Sequence, residues 1–149
     1  MLQFKCISFD ELNLRELYDL LALRTEVFIV EQNCVFQDAD GKDALAWHCL
    51  GTNYQGELMA YTRLFDVGAS YEGYVSIGRV VTSPKARGAG AGRELMRASI
   101  GYCEELFGAK PIKIGAQTYL LKFYESLGFV ATGEEYLEDG IPHIGMTRV

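Results

Sequence analysis

The chain has 149 residues, with 20 acidic and 14 basic side chains, and a formal net charge of −6. Hydrophobic residues make up 49% of it and charged residues 23%, which is the composition of a globular protein and not of a disordered one. The acidic balance argues against nucleic acid as a partner, because proteins that bind nucleic acid present a basic face. No repeat or linker divides the sequence, and its length fits one domain with a core of its own.

The first half of the chain predicts a strand, a helix and a hairpin. Apolar residues recur at three- and four-residue intervals from Leu14 to Val27 and Phe28, behind a cap at Asp10 or Asn13. The expected elements are a strand at 2–8, a helix with a second short helical stretch, a loop at 32–45, and strands at 46–53 and 57–66 joined by a tight turn.

The second half predicts two more strands with helices between them, and then a closing hairpin. The expected strands are 74–82 and 112–116, the helices run from about Gly90 to Gly108 and from Tyr119 to Leu127, and two strands in 129–149 flank a turn at 138–140. Early hairpins followed by a strand–helix–strand unit predict a mixed α/β sheet with both antiparallel and parallel pairing.

The charge is distributed unevenly along the chain. Residues 79–97 contain five cations and one acid, a local charge of +4, whereas the other residues contain 9 cations and 19 acids, a charge of −10. The same segment contains a glycine cluster, 87–92, between a predicted strand and a predicted helix. Amides in the first turn of a helix bind anions, and glycine lets an anion approach them. The segment therefore predicts a pyrophosphate site, with a plain surface turn as the alternative.

Two common nucleotide-binding motifs do not fit this cluster. The dinucleotide fingerprint needs a third glycine three residues after the second, where Arg93 or Leu95 stands instead. The mononucleotide P-loop needs a Gly-Lys-Ser/Thr ending, which the segment lacks.

Several segments resemble the GNAT superfamily of N-acetyltransferases. The run 80–92 resembles that family's Arg/Gln-x-x-Gly-x-Gly/Ala signature, and 123–129 resembles its second signature, a helix with a tyrosine before a Gly-Phe turn. Segments 23–32 and 136–143 resemble the ElaA branch of the family. The resemblance implies a single N-acetyltransferase domain over 1–149, with a twisted mixed sheet of six to seven strands and helices on both faces.

This resemblance also implies an enzyme that transfers the acetyl group of acetyl-CoA, its cosubstrate, to a primary amine by direct attack in a ternary complex. Tyr124 would protonate the leaving thiolate, and the Val81 amide would stabilise the oxyanion. Gln117 departs from the family pattern, which often has asparagine there. The implied cofactor-binding residues are Val80, Val81, Arg87, Gly88, Ala89, Gly90, Ala91, Gly92, Arg93 and Gln117.

A general base is also needed, because an amine must lose a proton before it attacks. Glu26 is a catalytic candidate, since it lies next to the apolar stripe of the first helix. Glu31, His48 and His143 are further candidates on the substrate side, and histidine titrates in the required range. His48 lies in an alternating strand and equally fits a structural residue.

Acidic and cysteine-containing patterns elsewhere predict no chemistry of their own. The loop 38–43 has the aspartates of a calcium site, but its glycine is misplaced and its closing glutamate is missing, so a solvated turn is expected. The acidic residues at 134–139 are also expected to be solvated, and would attract a cationic acceptor if they border the cleft. The four cysteines form no Cys-x-x-Cys pair and are expected to be reduced and mostly buried, with no metal site.

The expected setting is cytoplasmic, because the chain starts without a signal-peptide pattern and has no apolar run long enough to span a bilayer. The expected partners are a small-molecule or peptide amine, without nucleic acid or membrane, and a homodimer is possible. Two alternatives stay open: a non-catalytic acyl-CoA-binding sensor, and a transferase that uses another acyl-CoA.

Overall fold

Seven strands form one mixed sheet in the computed structural model, which describes residues 1–149. The strands are β1 (Gln3–Ser8), β2 (Trp47–Thr52), β3 (Leu58–Phe65), β4 (Val75–Thr82), β5 (Ile112–Gln117), β6 (Val130–Glu138) and β7 (Ile141–Arg148). Their order across the sheet is β1-β2-β3-β4-β5-β7-β6, and only β4 and β5 are parallel. The predicted mixed α/β sheet is therefore confirmed.

Three helices accompany the sheet: α1 (Leu14–Arg24), α2 (Ala91–Phe107) and α3 (Leu121–Glu125). Asn13 caps α1, because its side chain accepts a hydrogen bond from the Glu16 amide at 2.8 Å while the Glu16 carboxylate accepts one from the Asn13 amide at 3.0 Å. The second helical stretch is a π-helical turn, Thr25–Glu31, that continues α1. The helix predicted from Tyr119 is shorter than expected, since a 3-10 turn (Thr118–Leu120) precedes α3.

The helices lie on both faces of the sheet, as predicted. Neighbouring residues on a strand point to opposite faces. Tyr61 and Val81 pack with Leu20 of α1 in one apolar cluster, whereas Ala60 packs with Leu95 of α2 in another. The largest cluster joins α2 and α3 to the centre of the sheet, around Met96, Ile77, Ile112, Phe129 and Met146.

The loop at 38–43 is not the solvated turn that the sequence predicts, because it carries a buried ion-pair network. Arg24 is fully buried and donates to the carboxylates of Asp38 and Asp43 at 2.8 and 2.7 Å. Arg63 donates to Asp40 at 2.6 Å and to Asp43 at 3.0 Å. A buried guanidinium is costly without an anionic partner, so these contacts hold the loop against α1 and β3.

The cysteines are free thiols, three of them buried and Cys6 half-buried, which confirms that expectation. Burial raises the pKa of Cys49 to about 11 and that of Cys103 to about 12, so both thiols are protonated and unreactive at neutral pH. No three His, Cys, Asp or Glu side chains converge in a way that would hold a metal ion. None of the helices has the length and apolar character needed to cross a membrane.

Asp43→Asn tests the ion-pair network. Burial by itself raises the pKa of Asp43, but hydrogen bonds and charges from Arg24 and Arg63 outweigh it and hold that pKa below its ordinary value. We expect Asp43→Asn to lower the free energy of unfolding by about 3 kcal/mol at pH 7, since two buried arginines lose a charged partner. The difference should be constant above the ordinary aspartate pKa and shrink as the pH falls below it, because Asp43 is then protonated first in the unfolded chain and, at its lower pKa, in the folded protein.

Urea unfolding at several pH values measures this difference. Asp10→Asn is the matched control, because Asp10 is exposed and forms no ion pair. An equal effect of the two substitutions would contradict a stabilising role for the network.

Candidate active site

β4 and β5 are hydrogen-bonded neighbours over only a short stretch. They pair at Val75 with Ile112 and at Ser76 with Lys113, and the pairing ends there. Beyond these two pairs the strands separate, and a cleft of about 560 Å³ lies at the opening, a volume typical of small-molecule sites. Its lining includes residues 77–82 of β4, Ile114, Gly115 and Gln117 of β5, Glu31, Arg87, Gly92, Tyr124 and His143.

A bulge in β4 bends the strand at this opening. Arg63 pairs with Gly78 and Tyr61 pairs with Val81, so both Arg79 and Val80 lie opposite a single residue of β3. The φ of Arg79 is 48°, in the left-handed region that residues other than glycine seldom adopt. An extra residue of this kind interrupts the ladder and turns the strand away from its neighbour.

The register determines which amides of β4 are free to face the cleft. Ser83 donates its backbone N–H to the Met59 carbonyl at 2.7 Å, and hydrogen-bonded pairs alternate with non-hydrogen-bonded pairs along antiparallel strands. Tyr61 and Val81, two residues further along each strand, therefore form the next hydrogen-bonded pair, which directs the Val81 amide at β3. The register therefore favours another amide over the predicted Val81 amide as the oxyanion donor. The backbone of Val80, between hydrogen-bonded pairs, lies at the opening instead.

The glycine segment presents unpaired amides at one end of the cleft. None of the six backbone N–H groups from Gly88 to Arg93 donates a hydrogen bond within the chain. The φ angles of Gly88 and Gly90 are 87° and 79°, which glycine adopts without strain. Because α2 begins at Ala91, the positive end of its dipole adds to the same donors. The segment fits a pyrophosphate group on these observations.

Both arginines of this segment already have partners. Arg87 donates to the two carboxylate oxygens of Glu31 at 2.5 and 2.7 Å, and these hydrogen bonds hold the pKa of Glu31 below its ordinary value. Arg93 donates to the Ser126 hydroxyl at 2.9 Å and lies over the ring of Phe123, outside the cleft lining. A direct role for either in holding phosphate stays a prediction.

Tyr124 and Gln117 both line the cleft, as an active-site role requires. Tyr124 is 5% exposed, and its ring meets Phe123 and Phe129 edge-on. Burial raises the pKa of Tyr124, so its phenol is protonated at neutral pH. Gln117 is the last residue of β5 and faces His143 across the β5–β7 ladder.

The predicted general bases are not brought together. His143 and Glu31 line the cleft, whereas Glu26 is exposed on the π-helical turn and lies outside the lining. His48 is fully buried on β2, away from the cleft. Its Nδ1 lies 2.5 Å from the Tyr61 hydroxyl, its Nε2 lies 2.9 Å from a backbone carbonyl, and burial lowers its pKa. These contacts make His48 a structural residue.

His143 has one ring nitrogen available. Its Nδ1 lies 2.7 Å from the Ile141 carbonyl, which can only accept, so Nδ1 carries the proton. The neutral ring then has its lone pair on Nε2, which lies 3.5 Å from a carboxylate oxygen of Glu138. The ring stacks on Tyr136 at a centroid distance of 5.8 Å. This arrangement suits a proton acceptor whose charged form a carboxylate stabilises.

A second, more polar cavity of about 450 Å³ adjoins the cleft. Gly78, Arg79 and Gly115 line both, so the two cavities meet where β4 and β5 separate. Gly115 has no side chain to block this junction, and a Cβ there would lie 2.5 Å from the Tyr136 hydroxyl. Glu138 and Asp139 also line both cavities, so part of the acidic turn borders the cleft.

Sequence reasoning missed Arg79 and Tyr136 as residues of this region. Arg79 entered only as one charge of a cationic segment, although a charged residue inside an otherwise apolar strand is a signal of its own. Tyr136 has no local signal, because it reaches the site through pairing of β6 with β7.

The mixed sheet, with its cleft at the β4–β5 opening, is the fold of the GNAT acyltransferases. Residues 29–149 match the family model of the acetyltransferase (GNAT) domain, and the chain belongs to that family. It is 43% identical to protein ElaA of Escherichia coli over 99% of this chain and 97% of that protein.

Two crystal structures have the same fold over the full length of both chains. An acyl-CoA N-acyltransferase from Pseudomonas aeruginosa is 46% identical with a TM-score of 0.92, and Escherichia coli ElaA is 42% identical with a TM-score of 0.92. Membership of the family implies a CoA cosubstrate, for which the unpaired amides from Gly88 to Arg93 are suitable donors.

Gly92→Leu tests whether these amides hold CoA. Gly92 lines the cleft in the first turn of α2, and a leucine there would occupy the approach to the amides. We expect the dissociation constant of CoA, measured by calorimetry, to rise about tenfold or more. Gly101→Leu on the exposed side of α2 is the matched control and should bind CoA like the wild type. Equal affinity of all three proteins would contradict the assignment.

Proposed function

We propose that the protein acetylates a primary amine with acetyl-CoA, by direct attack of the amine on the thioester in a ternary complex. The observation that carries the proposal is the separation of β4 from β5 beside the bulge, which places the Val80 backbone, Tyr124 and His143 on one cleft. Because the cleft opens into the second, more polar cavity, the thioester and the amine can approach the same point from different sides.

Three groups of the chain would carry out the proton transfers and stabilise the oxyanion. His143 accepts the proton that the amine loses, at Nε2, and Glu138 stabilises the resulting imidazolium. The Val80 amide donates a hydrogen bond to the carbonyl oxygen as the C–N bond forms and negative charge develops there. Tyr124 donates its phenolic proton to the sulfur as the C–S bond breaks. The acetylated nitrogen then loses its remaining extra proton to the Tyr124 phenolate, and His143 passes its proton to solvent, so one proton is released for each cationic amine acetylated.

Burial that raises the pKa of Tyr124 does not oppose this role. Desolvation penalises the tyrosinate, but a thiolate formed in the same cleft is penalised for the same reason. Relative acidity therefore decides the transfer, and a phenol is only slightly weaker as an acid than a thiol. The raised pKa also keeps Tyr124 protonated at neutral pH.

The acceptor is proposed to be a cationic amine that enters through the polar cavity. Glu138 and Asp139 border the junction of the two cavities and are exposed, so they attract a protonated amine before it is deprotonated. Acetylation removes the positive charge, and the neutral product is then released more readily.

CoA release with a panel of amines tests the activity, and Tyr124→Phe tests its chemistry. We expect the wild type to release CoA with cationic amines and to form the N-acetyl product, seen by mass spectrometry. Tyr124→Phe should lower kcat about 100-fold while the dissociation constant of acetyl-CoA stays unchanged, because only the proton donor is lost. Tight acetyl-CoA binding without CoA release on any amine would favour the non-catalytic sensor instead. Faster CoA release from another acyl-CoA would show that acetyl-CoA is not the preferred acyl donor.

His143→Gln tests the base. We expect kcat/KM to fall at least about 100-fold for an amine of high pKa, and much less for an amine that is already neutral at pH 7, since that amine needs no base. His48→Gln is the matched control: it should lower the unfolding free energy but keep the wild-type ratio between the two amines. Equal losses of His143→Gln on both amines would remove His143 from this role.

A further inference from the structure

We propose that Arg79 is a positioning residue, whose ion pair with Asp38 holds the β4 bulge in the shape that directs the Val80 amide toward the reacting carbonyl. This inference rests on the proposed function, because it assigns a device that supports the oxyanion donor of that reaction.

The side chain of Arg79 is bound to the loop that follows the π-helical turn through two of its three guanidinium nitrogens. Its Nε donates to a carboxylate oxygen of Asp38 at 2.8 Å, and its Nη2 donates to the Asp38 backbone carbonyl at 3.1 Å. Nη2 also lies 3.4 Å from a carboxylate oxygen of Asp40, and the guanidinium lies over the ring of Phe36. The hydrogen bonds of Nε and Nη2 to the same aspartate, together with the ring of Phe36, fix the direction of the side chain.

Asp38 is itself fixed by a second arginine. Its other carboxylate oxygen accepts from the Nε of Arg24 at 2.8 Å, and its backbone carbonyl accepts from the Nη2 of Arg24 at 2.9 Å. Arg24 is fully buried at the end of α1 and Asp38 is one of its two carboxylate partners, so loss of this contact would leave the buried charge only partly compensated. The carboxylate of Asp38 therefore links the core of the protein to the bulge, with one oxygen for each arginine.

The backbone at Arg79 explains why this link matters for the site. Glycine adopts a φ of 48° more easily than arginine does, so the backbone alone gives no reason for an arginine here. The torsions of Arg79 set the direction of the next peptide group, whose N–H belongs to Val80. An oxyanion donor is effective only when it is aimed before the reaction begins. The contacts that fix the Arg79 side chain therefore also fix the direction of the Val80 N–H bond.

The same contacts predict what Arg79 does not affect. Its partners all lie in residues 36–40, and none belongs to the glycine segment of the CoA site. Loss of its ion pair should therefore impair turnover without weakening acyl-CoA binding. A purely structural role would lower stability and leave the kinetic constants of the folded protein unchanged.

Arg79→Lys and Arg79→Gly test this proposal against Arg15→Lys, since Arg15 is exposed on α1 and forms no ion pair. We expect both Arg79 variants to lower kcat about 10- to 100-fold, with the acetyl-CoA dissociation constant within about threefold of the wild type. Arg79→Lys keeps the charge and leaves the Arg24–Asp38 pair in place, so it tests the geometry of the contact in a protein that still folds.

Asp38→Asn should give a similar loss of kcat, and the double variant Asp38→Asn with Arg79→Gly should lose no more than either single one. Unchanged kcat in Arg79→Lys, or losses that multiply in the double variant, would overturn the proposal. Amide NMR gives a readout without turnover: the Val80 cross-peak should move in Arg79→Lys while those of Gly88 to Gly92 stay. If the wild type acetylates no amine, the proposed function fails, whereas an unmoved Val80 peak overturns the role of Arg79 alone.

Discussion

The early end of the β4–β5 ladder is the constraint on which the rest of this structure depends. Two parallel strands gain hydrogen bonds by staying paired, yet here they separate after two residue pairs. The bulge at Arg79 turns β4 away, and Gly115 leaves the facing position of β5 without a side chain. Backbone N–H and C=O groups without partners are normally costly in a sheet. Where they border a cleft, as here, they can form hydrogen bonds with a bound ligand instead.

The buried network of Arg24, Arg63 and their aspartates explains how such an opening is kept in one shape. Desolvated ion pairs add little net stability compared with apolar packing, but they tolerate only one arrangement of their donors and acceptors. The network joins α1, the loop at 38–43, β3 and β4, which are distant in the chain. Its contribution here is geometric, because it connects the helix on one face to the bent strand at the opening.

Local sequence predicted the elements well and the site in part. Strand alternation, helical spacing and the Asn13 cap depend only on residues close together in the chain, so they could be predicted from the sequence. Which amide of β4 is free depends on which residue of β3 pairs with Val81, and that register is a long-range property. The helical spacing did not predict that Glu26 lies on a π-helical turn, outside the cleft lining. His48 is buried on β2 and His143 lines the cleft, and this difference arises from tertiary packing that the residue type does not reveal.

The outermost strand, β6, has a consequence for solubility. It is exposed along its whole length, and one of its edges has no strand partner in the sheet. A bare edge of this kind invites pairing with another chain, and proteins prevent it with charges and irregular backbone. β6 carries Glu134, Glu135 and Glu138, and its register with β7 shifts between Ala131 and Glu135. These carboxylates, of which Glu138 also lines the cleft, therefore protect the edge against edge-to-edge aggregation.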